Sequence, residues 1–231
     1  MSFETIVSAL ARLKYHTLPP ALLQERKERI PLPEGIYPQS LFSKDGTLYA
    51  MARSGEERKL LVLSSTPGAL PPFEGQGVNG TGWSGRICPL NPENALRLRQ
   101  QFSWLNRVSL ADRPATIGCG DRLGRATAGQ LRAIRKYAVA PVLAQQSMRE
   151  LTLTRRTFGD VLADAVWGVF QAGYTEGFGA DADHLKTLTD IQTAIDAGYT
   201  MITLDLSAVL RPEAASFSAA EIAAEFERLP E

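Results

Sequence analysis

The residues best suited to chemistry in this chain are Asp183, His184 and Lys186, which lie together after a short apolar run. A neutral imidazole and a carboxylate can ligate a first-row divalent metal, or can act as a base and its partner. Adjacent residues face opposite sides of an extended strand, but at a strand end both can reach one pocket. A lysine ammonium suits a substrate carboxylate or a developing oxyanion. The pattern therefore predicts a site for a small, anionic, oxygen-rich ligand.

Polar side chains also end other apolar runs in the second half of the chain. They are Asp121-Arg122, Gln145-Gln146-Ser147, Asp181 and Asp205. Turns collect Asp and Ser for conformational reasons alone, which explains one or two such residues but explains a whole series less easily. We expect Asp121 and Arg122 to bind substrate together with Lys186, and the roles of Asp181 and Asp205 stay open.

These polar groups follow runs that alternate with helical patterns from Arg113 onward. Strands are predicted at residues 115–119, 139–144, 178–182 and 199–204. Helices are predicted after them, with the capping residues Thr127, Thr157, Thr187 and Ser218. The alternation predicts a parallel sheet whose strand ends face the ligand site. A doubly wound sheet and the first half of a (β/α)8 barrel both fit, since a full barrel takes about 250 residues and about 120 are available here.

The earlier part of the chain has a different pattern and is predicted to form an α+β segment at 1–110, followed by the barrel-like part at 111–231. Apolar residues at helical spacing predict a helix from Phe3, and Pro19-Pro20 ends that helix or the stretch after it. The other predictions are strands at 47–52 and 59–64, a loop-rich connection across the glycines at 75–85, a helix capped by Asn91, and a solvated turn at 149–156.

The composition argues against several functional classes. The 231 residues include 25 Lys+Arg and 25 Asp+Glu, a balance that argues against nucleic acid or a membrane surface as the main partner. No apolar run approaches the roughly 18 residues that cross a bilayer, and Glu4 precedes any apolar stretch, so no signal peptide is expected. The 2 cysteines form no disulfide framework, which favours a cytoplasmic location. The 2 histidines exclude a site that needs three imidazoles from one chain.

Three stretches of the second half resemble the tagaturonate epimerase family. They are GCGDRLG at 118–124, PVLAQQSMRE at 141–150 and WGVFQAGYTEGFGADADHLK at 167–186. The resemblance implies interconversion of the hexuronates tagaturonate and fructuronate, with a divalent metal cation as cofactor and a barrel like that of class II aldolases. We therefore expect an α/β fold with a partial (β/α)8 TIM-type barrel of about four βα units, preceded by the α+β segment.

Parts of these stretches are also similar to class II ketose-bisphosphate aldolases. PVLAQQS is similar to the PVILQxS pattern of their second strand, and DADHLK is similar to their HLDHG turn. By that match Asp183 is the acid/base, His184 is a metal ligand, and Gln145 and Ser147 line the substrate pocket. The inverted carbon, C4, is not adjacent to the ketone. We therefore expect a retro-aldol cleavage of the C3–C4 bond rather than simple α-proton abstraction, with the metal stabilising the enediolate.

The sequence departs from an aldolase-type site in that no histidine follows His184 and the strands that would complete a barrel are missing. We therefore expect a barrel completed by a missing C-terminal half or by another chain, with weak metal binding and little or no catalysis without it. The expected ligand is a small-molecule sugar acid. Two alternatives stay open, namely a metal-dependent ketose aldolase and a non-catalytic sugar-acid-binding module or subunit.

Overall fold

The structure, a computed structural model, describes residues 1–26, 29–66, 68, 70–207 and 209–228. They form a mixed α/β fold with one antiparallel sheet and one curled, parallel half-barrel sheet. Within these residues, no helix combines the length and the apolar character that crossing a membrane requires. The predicted α/β fold class is therefore confirmed to the extent that the chain has an antiparallel sheet and a parallel half-barrel sheet.

The N-terminal part is built on a 5-stranded antiparallel sheet of order β1-β2-β3-β5-β4. Its strands are β1 (Phe42–Lys44), β2 (Thr47–Ser54), β3 (Glu57–Ser64), β4 (Gln76–Gly80) and β5 (Trp83–Cys88). Its helices are α1 (Phe3–Arg12), α2 (Pro20–Arg26) and α3 (Pro92–Gln101). The predicted helix from Phe3 and the predicted Asn91 cap are both confirmed, since the Asn91 side chain accepts from the backbone N–H of Asn94.

The glycine-rich stretch at 75–85 forms the hairpin of β4 and β5, so the predicted loop-rich connection was wrong. Gly82 takes a φ of +76° in the turn between the two strands. Gly75 lies so close to β5 that an added Cβ would be 2.2 Å from the carbonyl oxygen of Ile87. Glycine therefore permits a tight turn and a close strand approach here, which from sequence alone looks like a loop.

The second part holds a 4-stranded parallel sheet of order β6-β7-β8-β9. Its strands are β6 (Thr116–Gly118), β7 (Ala140–Ser147), β8 (Gly179–Leu185) and β9 (Met201–Leu204). Its helices are α4 (Thr127–Ile134), α5 (Met148–Thr154), α6 (Phe158–Ala172), α7 (Leu188–Ala197) and α8 (Ala219–Phe226). Each strand is followed by a helix, as the sequence predicts, and the carboxyl ends of the strands therefore meet at one edge.

Local capping signals fix most helix boundaries of this part. Thr157 caps α6 in a reciprocal box with Asp160, and Gly173 ends that helix with a φ of +57°. Two predictions were wrong. Residues 149–156 lie mostly in helix α5 rather than in a turn, and Thr127 is the first residue of α4 rather than its cap.

Aromatic side chains join the two parts of the molecule. Phe42 of β1 lies 5.3 Å from Phe170 of α6, measured between ring centroids, and Trp104 stacks on the same Phe170 ring at 6.1 Å. Phe102, which follows α3, completes the cluster at 5.9 Å from Phe170. Helix α6 thus packs between the antiparallel sheet and the parallel strands. The predicted domain boundary at residue 110 stays a prediction.

Candidate functional site

Strands β7 and β8 lose their regular register near their carboxyl ends. The pairing of β7 with β8 shifts between Leu143 and Gln146, and that of β8 with β9 shifts between Ala182 and Leu185. A non-glycine residue in the left-handed region lies in each bulge, Ala144 with a φ of +54° and His184 with a φ of +57°. Bulges re-aim side chains, and such backbone strain is concentrated at functional sites.

A cleft of about 700 Å³ opens at this edge of the parallel sheet. Its lining residues are Arg122, Ser147, Met148, Arg149, Glu150, Asp183, His184, Lys186, Thr187, Asp190 and Asp205. The structure therefore brings together five of the seven predicted site residues, while Asp121 and Gln145 lie outside this lining. Asp183 and His184 share the cleft because the bulge breaks the extended geometry between them.

The Asp183 and His184 side chains form a hydrogen-bonded pair within the cleft. The Nδ1 atom of His184 lies 2.7 Å from Oδ1 of Asp183. This hydrogen bond and the carboxylate charge raise the pKa of His184 above its usual value. A carboxylate that holds Nδ1 fixes the ring orientation and leaves Nε2 as the nitrogen for a metal or a proton.

An ion pair between Lys186 and Asp205 joins the ends of β8 and β9 on one side of the cleft. The Lys186 ammonium lies 3.2 Å from Oδ2 of Asp205 and 3.4 Å from the Ser207 hydroxyl. Hydrogen bonds from Ser207, assisted by Lys186, lower the pKa of Asp205 to about 2. Asp205, whose role the sequence left open, is therefore an ionised partner of the predicted substrate-binding lysine.

Arg122 and Ser147 meet at the opposite side of the cleft, through Glu150. The exposed Arg122 guanidinium forms an ion pair with the Glu150 carboxylate. Glu150 also accepts from the Ser147 backbone N–H at 3.2 Å and completes a capping box at the start of α5. Sequence reasoning missed Glu150, although a glutamate three residues after a serine is the usual signature of such a box.

Asp121 is buried beneath this edge and caps helix α4 across the preceding loop. Its carboxylate accepts from the backbone N–H groups of Arg125, Ala126 and Thr127 at 2.8–2.9 Å, and from the Thr127 hydroxyl at 2.8 Å. Burial alone would raise the pKa of Asp121, but these four bonds outweigh it and lower the pKa below its usual value. In the structure Asp121 therefore holds the start of α4. Its predicted part in substrate binding stays a prediction.

Gln145 belongs to a partly buried polar network between three strands. Its Nε2 atom donates to Oδ2 of Asp181 at 3.2 Å, and the Thr203 hydroxyl donates to both Asp181 oxygens at 3.0 Å. Burial raises the pKa of Asp181, against the effect of these two donors. The side chain of Gln145 also lies against Gly118, where an added Cβ would be 2.4 Å from its Oε1 atom. Sequence reasoning missed Thr203, because nothing local marks an interior threonine.

A sequence model of the tagaturonate epimerase family matches residues 37–231 of this chain. The chain belongs to the tagaturonate epimerase family. The tagaturonate/fructuronate epimerase of Thermotoga maritima is 42% identical over 174 residues, which are 74% of this chain and 35% of that protein. The chain thus spans about a third of the length of the curated relative that it matches, and the predicted family resemblance is confirmed.

Solved structures of the family agree with the fold described above. The native crystal structure of fructuronate-tagaturonate epimerase UxaE from Cohnella laeviribosi has a TM-score of 0.75 and 38% identity, over 92% of this chain and 42% of that one. A glycerol complex of the same enzyme gives a TM-score of 0.75 and 39% identity, over 85% of this chain and 39% of that one. The likeness therefore extends across both sheets of this chain and covers less than half of the larger enzyme.

His184 and Asp183 are of residue types that can ligate divalent metals. His184 provides one imidazole, with Asp183 beside it, but no group of three histidine, cysteine or carboxylate side chains within the described ranges could hold a metal ion. A protein metal site takes three or more protein ligands in most cases. The described residues therefore do not fit a complete divalent-metal site by themselves.

Proposed function

We propose that this chain takes part in the interconversion of tagaturonate and fructuronate. The observation that carries the proposal is the paired Asp183 and His184 at the bulged end of β8, inside a cleft of about 700 Å³, in a member of the tagaturonate epimerase family. The curled parallel sheet is then part of a (β/α)8 barrel, whose strand ends carry the substrate.

The reaction inverts C4, which is two bonds from the ketone carbon. In the proposed route, Asp183 removes the proton of the C4 hydroxyl through Oδ2, the oxygen that no described residue bonds. The C3–C4 bond breaks, its electron pair passes to the C2–C3 unit as an enediolate, and C4 becomes an aldehyde carbon. Rotation of the aldehyde fragment, re-formation of the C3–C4 bond and return of the proton from Asp183 to the C4 oxygen then complete the inversion.

The charges of the cleft support a role for a cation. Three cationic side chains and four carboxylates line it, and both Arg122 and Lys186 are already paired with carboxylates. A hexuronate anion would enter this acidic cleft more readily with a divalent cation present. We therefore propose that His184 supplies one ligand of a cation whose other ligands lie outside the described residues. Such a cation, once bound, would stabilise negative charge on the sugar as a Lewis acid.

The incomplete donor set favours a second candidate function. With one imidazole and paired cations, the chain could serve as a sugar-acid-binding subunit that performs no chemistry alone. The two functions can be distinguished by measuring turnover. A chain that takes part in the epimerisation requires Asp183 for turnover, whereas a binding subunit does not.

Two measurements test the proposed function. Isothermal titration in the presence of a divalent cation, with the chain co-expressed with the remainder of the Thermotoga maritima epimerase, should show that tagaturonate binds more tightly than tagatose, which lacks the carboxylate, and equal or absent binding would contradict the proposal. Fructuronate formation is then followed by 13C NMR, for the chain alone and for the chain co-expressed with the remainder of the Thermotoga maritima epimerase. We expect Asp183→Asn to abolish turnover with its metal content nearly unchanged. Asp190→Asn, which changes another carboxylate of the same cleft, should retain most of the turnover.

Turnover that is unchanged in Asp183→Asn would overturn the assignment of the base. If tagaturonate binds but no sample forms fructuronate, the result would favour the second candidate function, a sugar-acid-binding subunit.

A further inference from the structure

Residues 119–126, which we call the β6–α4 loop, carry Arg122 to the edge of the cleft. Two arginines from elsewhere in the chain donate to the backbone of this loop. Arg156, which precedes α6, donates through Nη1 to the carbonyl oxygen of Arg122 at 2.9 Å. Arg58 of strand β3 donates through Nη2 to the carbonyl oxygen of Gly124 at 2.8 Å. The loop is therefore held by the antiparallel sheet as well as by the parallel part of the molecule.

Asp164 holds Arg156 from within an apolar stretch of helix α6. The other residues at 161–170 are all buried and apolar. The Asp164 carboxylate forms an ion pair with Nη2 of Arg156, and these side chains are 29% and 16% exposed. Burial raises the pKa of Asp164 even with Arg156 beside it. A partly buried carboxylate costs desolvation free energy that an apolar residue would avoid, so packing of α6 alone does not account for Asp164.

The Asp164 carboxylate also lies directly against Gly124. A Cβ added at Gly124 would overlap this carboxylate, and glycine permits the φ of +66° found there. Arg58 connects the same contact to α6 a second time, because its Nη1 atom donates to Oε1 of Gln171 at 3.1 Å. Side chains of β3 and α6 thus set the position of the loop backbone at Arg122 and at Gly124.

The Arg122 guanidinium is held along one edge. Its Nε and Nη2 atoms both lie against Oε1 of Glu150. None of the described residues bonds Nη1 of Arg122, and the side chain is 67% exposed. An arginine held along its Nε–Nη2 edge still presents its Nη1–Nη2 edge, which can bind a carboxylate through two parallel hydrogen bonds.

We propose that Arg58, Arg156 and Asp164, which we call the loop clamp, are positioning residues that hold Arg122 so that its Nη1–Nη2 edge receives the carboxylate of the sugar acid. The three residues lie outside the lining of the cleft, so they act through the loop backbone. The inference rests on the proposed function, because it assigns Arg122 to the carboxylate that distinguishes tagaturonate from tagatose. Position matters here since a bidentate contact requires two nitrogens aligned with two oxygens.

Hydrogen exchange tests the loop clamp without any sugar. In the 231-residue chain, Arg156→Ala should speed amide exchange across residues 119–126 about tenfold and leave exchange in α3 unchanged, because a contact to the loop backbone is lost. Arg58→Ala, which leaves the Arg156–Asp164 pair in place, should act in the same direction. Exchange equal to wild type in both variants, or an equal rise in α3, would overturn the proposal.

Arg155→Ala is the matched control for Arg156→Ala. It removes the same charge at the neighbouring position, from an exposed arginine whose guanidinium bonds none of the described residues. Arg155 has a φ of +53°, and alanine is under the same backbone strain there as arginine. Exchange in residues 119–126 should match wild type in this control, and a rise as large as in Arg156→Ala would overturn the assignment of Arg156.

A double-mutant cycle tests whether the loop clamp acts through Arg122. The sample is the chain co-expressed with the remainder of the Thermotoga maritima epimerase, with a divalent cation present. Arg58→Ala should weaken tagaturonate binding about fivefold and leave tagatose binding unchanged. In the Arg122→Gln background it should have no further effect, whereas a merely structural residue would lower both affinities in either background. An equal loss in both backgrounds would overturn the positioning role.

Failure of this inference can be separated from failure of the proposed function. Equal affinity of the wild-type sample for tagaturonate and tagatose would contradict both. Normal fructuronate formation with no coupling between Arg58 and Arg122 would overturn the loop clamp alone. A coupled loss of tagaturonate affinity without fructuronate in any sample would support the loop clamp and count against the proposed reaction.

Discussion

Asp121 offers the sharpest test of how the loop after β6 is held. The residue is 7% exposed, and its carboxylate accepts hydrogen bonds from four donors at the start of α4. Loss of a capping side chain costs about 0.5–2 kcal/mol, and a hydrogen bond to a charged group contributes about 1.5–3 kcal/mol. Because several donors become unsatisfied together in a buried position, we expect Asp121→Ala to lower the free energy of unfolding by about 3 kcal/mol.

The assay is equilibrium unfolding in urea, followed by far-UV circular dichroism and by fluorescence of the buried Trp167. Glu93→Ala is the control, because Glu93 is an exposed acidic residue in the first turn of another helix. It should change the free energy of unfolding by less than about 0.5 kcal/mol. A change as small as this in Asp121→Ala would refute the capping role, as would a fully stable variant that had lost tagaturonate binding.

The pH dependence of the stability that Asp121 contributes has a definite sign, which a second variant, Asp121→Asn, tests. The pKa of Asp121 is lower in the folded protein than its ordinary value of 3.8. The carboxylate therefore contributes its full stability above the unfolded pKa, and this contribution is lost as the pH falls through the folded pKa. The stability difference between wild type and Asp121→Asn should be constant near neutral pH and should shrink below about pH 4. A difference that grew with acidification would contradict the cause given for the lowered pKa.

Two other predictions follow from the site. In Gly118→Ala the new Cβ would displace Gln145 Oε1, the far end of a flexible side chain. The melting temperature should therefore change little while tagaturonate affinity falls severalfold in titration calorimetry, and an unchanged affinity would count against a substrate role for Gln145. The Asp205 carboxyl should titrate near pH 2 in 13C NMR, and Ser207→Ala should move that midpoint upward. A midpoint that stayed in place would show that Ser207 is not the main cause.

Local signals explain what could be predicted of the fold. Thr157 and Gly173 are visible in the sequence because each satisfies backbone groups within a few residues of its own position. The cap of α4 was not predicted because Asp121 bonds Thr127, which lies six positions further along the chain. The hairpin at 75–85 was not predicted because its glycines allow close contact with a neighbouring strand, and no local sequence pattern reveals such a contact.

The candidate site was predictable to the extent that strand order determines it. Asp183 and Asp205 lie at the ends of adjacent parallel strands, so the predicted topology brings them to one cleft, whereas His184 joins Asp183 there because of the bulge in β8. The position of Gln145 was not predictable in the same way. The bulge at Ala144 changes which face of β7 each side chain occupies, and Gln145 bonds Asp181 instead of lining the cleft. A register shift depends on the neighbouring strand and leaves no mark in the local sequence.

The central claim is that Asp183 starts an inversion at C4 by cleaving the C3–C4 bond. The most direct test is the conversion of tagaturonate to fructuronate in D2O by the chain co-expressed with the remainder of the Thermotoga maritima epimerase, followed by NMR at C4. The account predicts fructuronate that retains the original hydrogen on C4, because that C–H bond never breaks, and no product from Asp183→Asn. Deuterium at C4 of the product, or wild-type turnover by Asp183→Asn, would contradict it.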